Sequence, residues 1–241
     1  MKTIAYVPAR LQSTRFPEKI LKPLFGKPLM VWSYENAAES NLFDEVILLA
    51  DDERTVELAR SYHLNVLLTS KKPQSGTQRI IEAIENGAPR ADKIVNVQAD
   101  EPIIHREMFS SLLSGSGVGP RIWTLKKKIE TKEELTESNV VKVITNVDGE
   151  ALYFSRSCIP FDRDNKGGDY YRHIGLYAYT FEALEKLQIL SPCSLEQREM
   201  LEQLTPLYYK IPIQVMETNH VCHGVDTPED LKKVESMLSL I

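Results

Sequence analysis

The stretch from Thr3 to Pro28, TIAYVPARLQSTRFPEKILKPLFGKP, constrains this chain more than any other. Ile4, Ala5, Tyr6 and Val7 form a short, mostly apolar run, the length of a buried strand. Pro8 is expected to end it, because proline has no N–H to offer a sheet ladder. The loop that follows carries Arg10, Arg15, Lys19, Lys22 and Lys27 against one acid, Glu18. That local balance of +4 stands in a chain whose 29 basic and 34 acidic residues leave −5. A cation-rich loop directly after a buried strand marks an anion site, since open α/β sheets bind ligands beyond the C-terminal ends of their strands. On composition alone the alternative is a solvated basic loop.

The rest of the chain supplies such a sheet. Pro28 opens an expected helix through PLMVWSYENAAES, with Leu29, Val31, Trp32 and Ala37 on its apolar face. EVILLA (Glu45 to Ala50) reads as a second strand, and Asp51 and Asp52 as caps of a helix through ERTVELARSY. Asn65 to Leu68 is a third strand, followed by a polar loop, Thr69 to Thr77, and a helix TQRIIEAIEN. KIVNVQ (Lys93 to Gln98) is the fourth strand. This alternation predicts an α/β fold with a doubly wound, mainly parallel sheet and right-handed crossovers.

From about Arg121 the rhythm changes. RIWTLKKKI, NVVKVITN, ALYFSR and HIGLYAYT are strand-like runs with few helices between them, so residues 121–180 read as a strand-rich subregion of a single domain spanning 1–241. Asp148-Gly149 signals a hairpin, and Asp164 to Asp169 is a loop. FEALEKLQ and SLEQREMLEQLTPLYY are expected helices, PIQVMET a late strand, and TPEDLKKVESMLSL a closing helix capped at Thr227. An apolar layer with so little cover implies a partner, and a homodimer is expected.

Composition sets the outer limits. A chain of 241 residues, 42% hydrophobic and 26% charged, is ordinary for a globular protein. Mild acidity argues against general nucleic-acid binding, and no apolar run approaches a membrane span. The N-terminus enters a strand after one lysine, unlike a signal peptide. Cys158, Cys193 and Cys222 are far apart and form no C-x-x-C pair, which points to a reducing cytoplasm. His220, Cys222 and His223 lack a second ligand pair at zinc spacing.

Three further segments carry candidate chemistry. In NVQADEP (Asn96 to Pro102), Gln98 and Asp100 alternate with Ala99 beyond the fourth strand. Asp100 suits Mg²⁺, although D-E-P is also common turn chemistry. In GVDTPED (Gly224 to Asp230), Asp226 precedes a helix start, so it is either a capping turn or a second carboxylate for the same ion. QSGTQR (Gln74 to Arg79) places small residues at a helix N-terminus, fit for backbone contact with a ligand or for ordinary capping. In the strand-rich region Arg156 suits bidentate pairing with a carboxylate. On residue type alone His173 reads as a structural histidine and Tyr177 as a core aromatic.

The motif P-A-R-x-x-S-T-R-F-P-x-K followed by F-G-K-P-L matches neither the dinucleotide fingerprint nor the P-loop. It resembles the nucleotide-binding loop of the sugar-activating cytidylyltransferases, the 3-deoxy-D-manno-octulosonate (Kdo) cytidylyltransferases in particular. The likeness runs from about Ile4 to about Leu231 through this loop, QSGTQR, NVQADEP, the pair ALYFSRSCIPF and RHIGLYAYT, and GVDTPED. It implies a three-layer Rossmann-like nucleotidyltransferase fold and a cytoplasmic, Mg²⁺-dependent, dimeric enzyme. That enzyme joins CMP from CTP to an acid sugar for lipopolysaccharide synthesis. It further implies nucleotide contacts at Pro8, Ala9, Arg10, Arg15, Lys19, Thr69, Gln74, Ser75, Gly76 and Thr77. Sugar contacts fall at Arg15, Gln98, Arg156, His173, Tyr177, Glu202 and Gln203, metal ligands at Asp100 and Asp226, and catalytic roles at Arg10, Lys19 and Asp100. Three positions depart from the family pattern: Glu18 and Ala99 where glycine is usual, and Gln78 where glutamate is usual. A carboxylate at 18 is expected to repel a triphosphate unless it turns away or pairs with Arg15 or Lys22.

Overall fold

The structure, a computed structural model, describes residues 1–13, 15–220 and 222–239. Thr14 of the basic loop, Val221 of NHVCHG and Leu240 of the expected closing helix lie outside the described residues. In chain order the elements begin with β1 (Thr3–Ala9), one 3-10 turn (Lys19–Leu21), β2 (Pro23–Leu24), β3 (Lys27–Pro28), α1 (Leu29–Glu39) and β4 (Glu45–Ala50). Next come α2 (Glu53–Ser61), β5 (Val66–Leu68), α3 (Gly76–Glu85), β6 (Lys93–Asn96), α4 (Arg106–Ser114) and β7 (Ile122–Lys128). Then follow α5 (Lys132–Thr136), β8 (Lys142–Thr145), β9 (Ala151–Ser155), β10 (Tyr171–Thr180) and α6 (Phe181–Ile189). The chain closes with α7 (Ser194–Glu199), α8 (Leu204–Tyr208), β11 (Ile213–Glu217) and α9 (Pro228–Leu238). The chain folds as two compact units, Met1–Ser110 with Val221–Ile241, and Ser111–His220; the division falls within α4. No helix among the described residues is long and apolar enough to cross a membrane.

The first unit holds the parallel sheet, in the order β6-β1-β4-β5. β1 lies between β4 (Ile4 opposite Glu45, Ala9 opposite Ala50) and β6 (Thr3 opposite Lys93, Tyr6 opposite Asn96). All seven residues of β1 are buried, as a strand covered on both faces requires. The strand does not stop at Pro8 as expected: it runs to Ala9, with Pro8 opposite Leu49. The reason is the side on which the missing N–H falls. Tyr6 accepts a bond from Val97 N–H on the β6 side, and the two-residue alternation sends the Pro8 nitrogen that way too. Pairing with β6 has already ended at Tyr6, so no ladder bond is lost. Successive connections leave β1 toward β4 on one side and return to β6 on the other, which makes the C-terminal ends of β1 and β6 the switch point of the sheet.

One apolar cluster draws distant segments to that point. Leu24, Leu29, Ile103, Val225 and Val234 are buried together, with Phe16, Trp32, Leu231, Met237 and Leu238 packed on them. The basic loop, the segment after Asp100, the turn before Asp226 and α9 therefore share one small core. Each fully buried large side chain in it contributes roughly 1.5–3 kcal/mol. Thr227 and Asp230 form a capping box that starts α9 and fixes the turn carrying Asp226.

The second unit is the strand-rich one, in the order β11-β7-β10-β8-β9. β7 pairs antiparallel with β10 and parallel with β11, while β8 and β9 form a hairpin turned at Gly149, whose φ is +78°. Trp123, Phe154 and Leu176 are almost wholly buried. Lys142 is buried too, its ammonium donating to the carbonyls of Glu137 (3.0 Å), Val140 (2.6 Å) and Arg156 (2.6 Å). Burial pulls its pKa down, and the three carbonyls replace the water it lost. The single helix expected over SLEQREMLEQLTPLYY is instead two, broken at Met200, whose φ is +53°. Pro206 accounts for this: proline is tolerated only in a first turn, so the helix restarts at Leu204.

Candidate active site

Each strand of the first unit ends at the same edge and releases one functional loop. After β1, Arg10 is exposed, and Leu11 N–H donates to Asp51 Oδ1 at 2.9 Å. After β4, Asp51 is buried and Asp52 caps α2 by accepting from Arg54 N–H. After β5, Thr69 is buried and donates to Ala50 O at 2.9 Å. After β6 come Gln98, half-buried, and Asp100. A cleft of about 550 Å³ opens here, bordered by Arg10, Glu18, Asp52, Arg54, Lys71 and Gln74 among others. Arg54 and Lys71 are cations that sequence reasoning missed, because each sits in a segment read for its helix or loop alone.

The two aspartates separated by 126 positions in sequence, 226 less 100, are brought to one cation. The Lys19 ammonium pairs with Asp100 and, at 2.6 Å, with Asp226; Arg15 reaches Asp226 at 2.8 Å. The backbone joins the same two turns, Val225 N–H donating to Asp100 O at 2.9 Å. Burial works to discharge Lys19, but Asp100 and Asp226 outweigh it, and its pKa lies above that of an ordinary lysine. Burial likewise opposes the charge on Asp226, and Lys19 and Arg15 outweigh it, so its pKa lies below the usual carboxylate range. Two hard carboxylate donors already meeting one cation are a donor set that fits Mg²⁺.

The three departures from the family pattern have distinct fates. Glu18 is in the left-handed region (φ 54°, ψ 32°), the conformation that explains why glycine suits this position. Its carboxylate pairs with Arg54 at 2.9 Å, a partner other than the Arg15 or Lys22 expected. Ala99 is buried, and its φ is not positive, so no glycine is needed there. Gln78 Oε1 accepts from Gln74 N–H at 2.8 Å, a bond that the carboxylate of glutamate would make as well.

Among the other expected contacts, Ser75 is the N-cap of α3, accepting from Gln78 N–H, and Thr77 is buried. Gly76 packs on Pro8 and Asn96: a Cβ there would lie 3.1 Å from the Asn96 amide and 3.3 Å from Pro8 Cγ. Beneath these loops runs a pair that sequence reasoning did not find. Arg79 donates to Asp51 Oδ2 (3.2 Å), Thr69 Oγ1 (2.6 Å) and Ser70 O (2.9 Å); Arg79, Asp51 and Thr69 are buried and Ser70 is half-buried. The only signal for it was an arginine on the buried face of α3.

The second unit gathers its expected residues into two groups. His173 packs against Phe154 (centroids 5.0 Å apart) and Tyr177 (5.3 Å), with Tyr179 stacked behind at 6.0 Å. Burial, aided by the Arg172 charge, pushes the His173 pKa down to about 3. Arg156 lies at the α7–α8 break, donating to Glu199 O (2.7 Å), Ser138 O (3.1 Å) and Met200 O (3.4 Å). Three of its five N–H groups thus serve the backbone, leaving two for a ligand. Glu202 and Gln203 follow that break, Gln203 buried and Glu202 half-buried.

A fold of this kind with an acidic pair set in a basic loop defines a class, and a family model described as "Cytidylyltransferase" matches residues 4–215: the chain belongs to the cytidylyltransferase family. Its relatives within that family are more particular. It is 41% identical to the 3-deoxy-manno-octulosonate cytidylyltransferase of Lawsonia intracellularis, covering 97% of this chain and 92% of that protein. It is 43% identical to the enzyme of the same name from Chloroherpeton thalassium, over 99% of this chain and 98% of that one. Its fold matches the structure of CMP:2-keto-3-deoxy-manno-octonic acid synthetase complexed with CTP, with a TM-score of 0.93 at 34% identity, covering 100% of this chain and 99% of that one.

Proposed function

We propose that this chain transfers the cytidylyl group of CTP to 3-deoxy-manno-octulosonate, releasing pyrophosphate, and so supplies an activated acid sugar for lipopolysaccharide synthesis. The observation that carries the reading is the convergence of Asp100 and Asp226 on one cation at the switch point, in a chain whose full-length relatives bear that activity in their names. The anomeric hydroxyl of the sugar attacks the α-phosphorus and gives up its proton to solvent, the bond to the bridging oxygen breaks, and pyrophosphate departs with that oxygen's electron pair. Such a transfer asks the protein mainly for positioning and charge. Arg10 stands exposed at the cleft to meet phosphate oxygens. Asp100 and Asp226 are the residues to hold Mg²⁺, which when bound neutralises phosphate charge. Lys19 and Arg15 balance the two carboxylates, +2 against −2; were those carboxylates to hold a divalent ion, Lys19 and Arg15 would be the cations available to pair with phosphate. The second unit's Arg156, His173, Tyr177, Glu202 and Gln203 are assigned to the sugar acid.

A homodimer and a cytoplasmic location belong to the same reading. Phe161 (86% exposed), Met200 (76%), Tyr208 (58%) and Leu152 (56%) are large apolar or aromatic side chains left in water on the second unit, which supports burial against a second copy. Cys158, Cys193 and Cys222 form no disulfide, which supports a reducing compartment. The deciding assay is pyrophosphate release from CTP with Mg²⁺ and, in parallel, Kdo, its 8-amino relative and a sialic-type acid. Fastest turnover with Kdo is expected. CTP binding by calorimetry without release from any sugar overturns the reading in favour of a binding protein, and a monomer mass by light scattering removes the dimer.

A further inference from the structure

In the second unit β10 slips register against β7 between Ile174 and Tyr177. Thr124 of β7, fully buried, fills the irregularity. Its hydroxyl oxygen lies 3.0 Å from Ile174 O, 3.0 Å from Leu176 O and 3.0 Å from His173 Nε2. A hydroxyl has one proton to give and lone pairs to accept with. Were Nε2 a bare lone pair, three acceptors would compete for that one proton and two of the three contacts would be unbonded. With a hydrogen on Nε2, the ring donates to the hydroxyl oxygen and the hydroxyl donates to one carbonyl, so two of the three contacts become hydrogen bonds. This count favours the hydrogen on Nε2. A neutral imidazole carries one N–H, which leaves Nδ1 as a lone pair. Among the described residues Nδ1 has no hydrogen-bond partner, and His173 as a whole residue is only half-buried.

We infer that Thr124 is a positioning residue that locks His173 as the neutral Nε2–H tautomer, so that His173 reads the sugar acid as a hydrogen-bond acceptor through Nδ1. The group it meets is then a donor, a sugar hydroxyl, and not the carboxylate. The inference rests on the assignment of His173 to the sugar. It sharpens that assignment, because an imidazolium would have favoured the carboxylate. The surroundings agree: the ring packs against Phe154 and Tyr177, and desolvation with the neighbouring Arg172 charge disfavours a second proton.

The test is ¹⁵N NMR of the full-length, histidine-labelled protein at neutral pH, with the His173 signals assigned by their loss in His173→Gln. Nε2 in the protonated range and Nδ1 in the lone-pair range are expected; the reverse tautomer or an imidazolium overturns the inference. Thr124→Val, nearly isosteric, should mix the tautomers and raise KM for Kdo roughly tenfold, the worth of one neutral hydrogen bond, with KM for CTP unchanged. Thr124→Ser, which keeps the hydroxyl, should restore both, which a purely structural loss does not predict. If the expected tautomer is found but His173→Gln leaves KM for Kdo unmoved, the sugar assignment fails and with it the acceptor role. If KM responds but the tautomer is reversed, the sugar assignment stands and the locking by Thr124 is wrong.

Discussion

Removing the Arg79 guanidinium tests how the nucleotide loops are held. Its partners are Asp51, Thr69 and Ser70, and Asp51 in turn holds Leu11 N–H of the basic loop. The Arg79 and Asp51 side chains are only 2% and 6% exposed, so neither is screened by water. Arg79→Met strands a buried carboxylate and leaves Ser70 O without this donor. Breaking such a pair from one side costs about 3–5 kcal/mol. Asp51→Asn in the same chain removes the stranded charge while the amide oxygen still accepts from Leu11. The double variant should therefore be more stable than Arg79→Met alone, by about 1–2 kcal/mol, a coupling that only contacting residues show. Urea unfolding followed by circular dichroism reads this directly. With a slope of about 3 kcal/mol per molar urea, the single variant should lose about 1–1.7 M in midpoint at unchanged slope. Because Arg79 ties the loops after β1, β4 and β5 together, KM for CTP should rise as well. A midpoint shift below about 0.3 M, or strict additivity in the double variant, would refute the claim that this pair is a buried and coupled clamp.

Asp100→Asn and Asp226→Asn should each lower pyrophosphate release by about two orders of magnitude or more while circular dichroism stays unchanged, since each removes a hard anionic ligand from the proposed metal site; near-normal release in either removes that residue's role. His173 stays neutral in the fold down to about pH 3, whereas in the unfolded chain it takes a proton near pH 6.5. Its contribution is therefore complete above about pH 6.5 and falls as pH drops toward 3, by about 2 kcal/mol at pH 5, and His173→Gln should flatten that part of the stability–pH curve. At position 18, Gly and Ala both delete the exposed ion pair with Arg54, worth at most about 1 kcal/mol, but only Gly relieves the left-handed backbone. Glu18→Gly should thus unfold at higher urea than Glu18→Ala by about 1 kcal/mol, and equal midpoints would mean that the backbone there is unstrained.

Local pattern and motif spacing determined a good deal of this protein. The runs at Ile4–Val7, Glu45–Ala50, Asn65–Leu68 and Lys93–Gln98 place all four parallel strands, because strands of a sheet covered by helices are mostly apolar. The basic loop directly after β1 marked the ligand edge, since strand order puts that loop at the switch point. The cap at Thr227 was legible because it is a contact within four residues. Tertiary structure decided what depends on partners far away in sequence. Whether Pro8 ends a strand depends on which neighbour its absent N–H faces, and that is set by β6. Glu18 meets Arg54, Lys19 bridges Asp100 and Asp226, Arg79 finds Asp51, and Thr124 orients His173, across separations that no local period encodes. Side-chain charge and tautomer follow from desolvation and from the particular partner that packing supplies, so they exist only once the chain has folded.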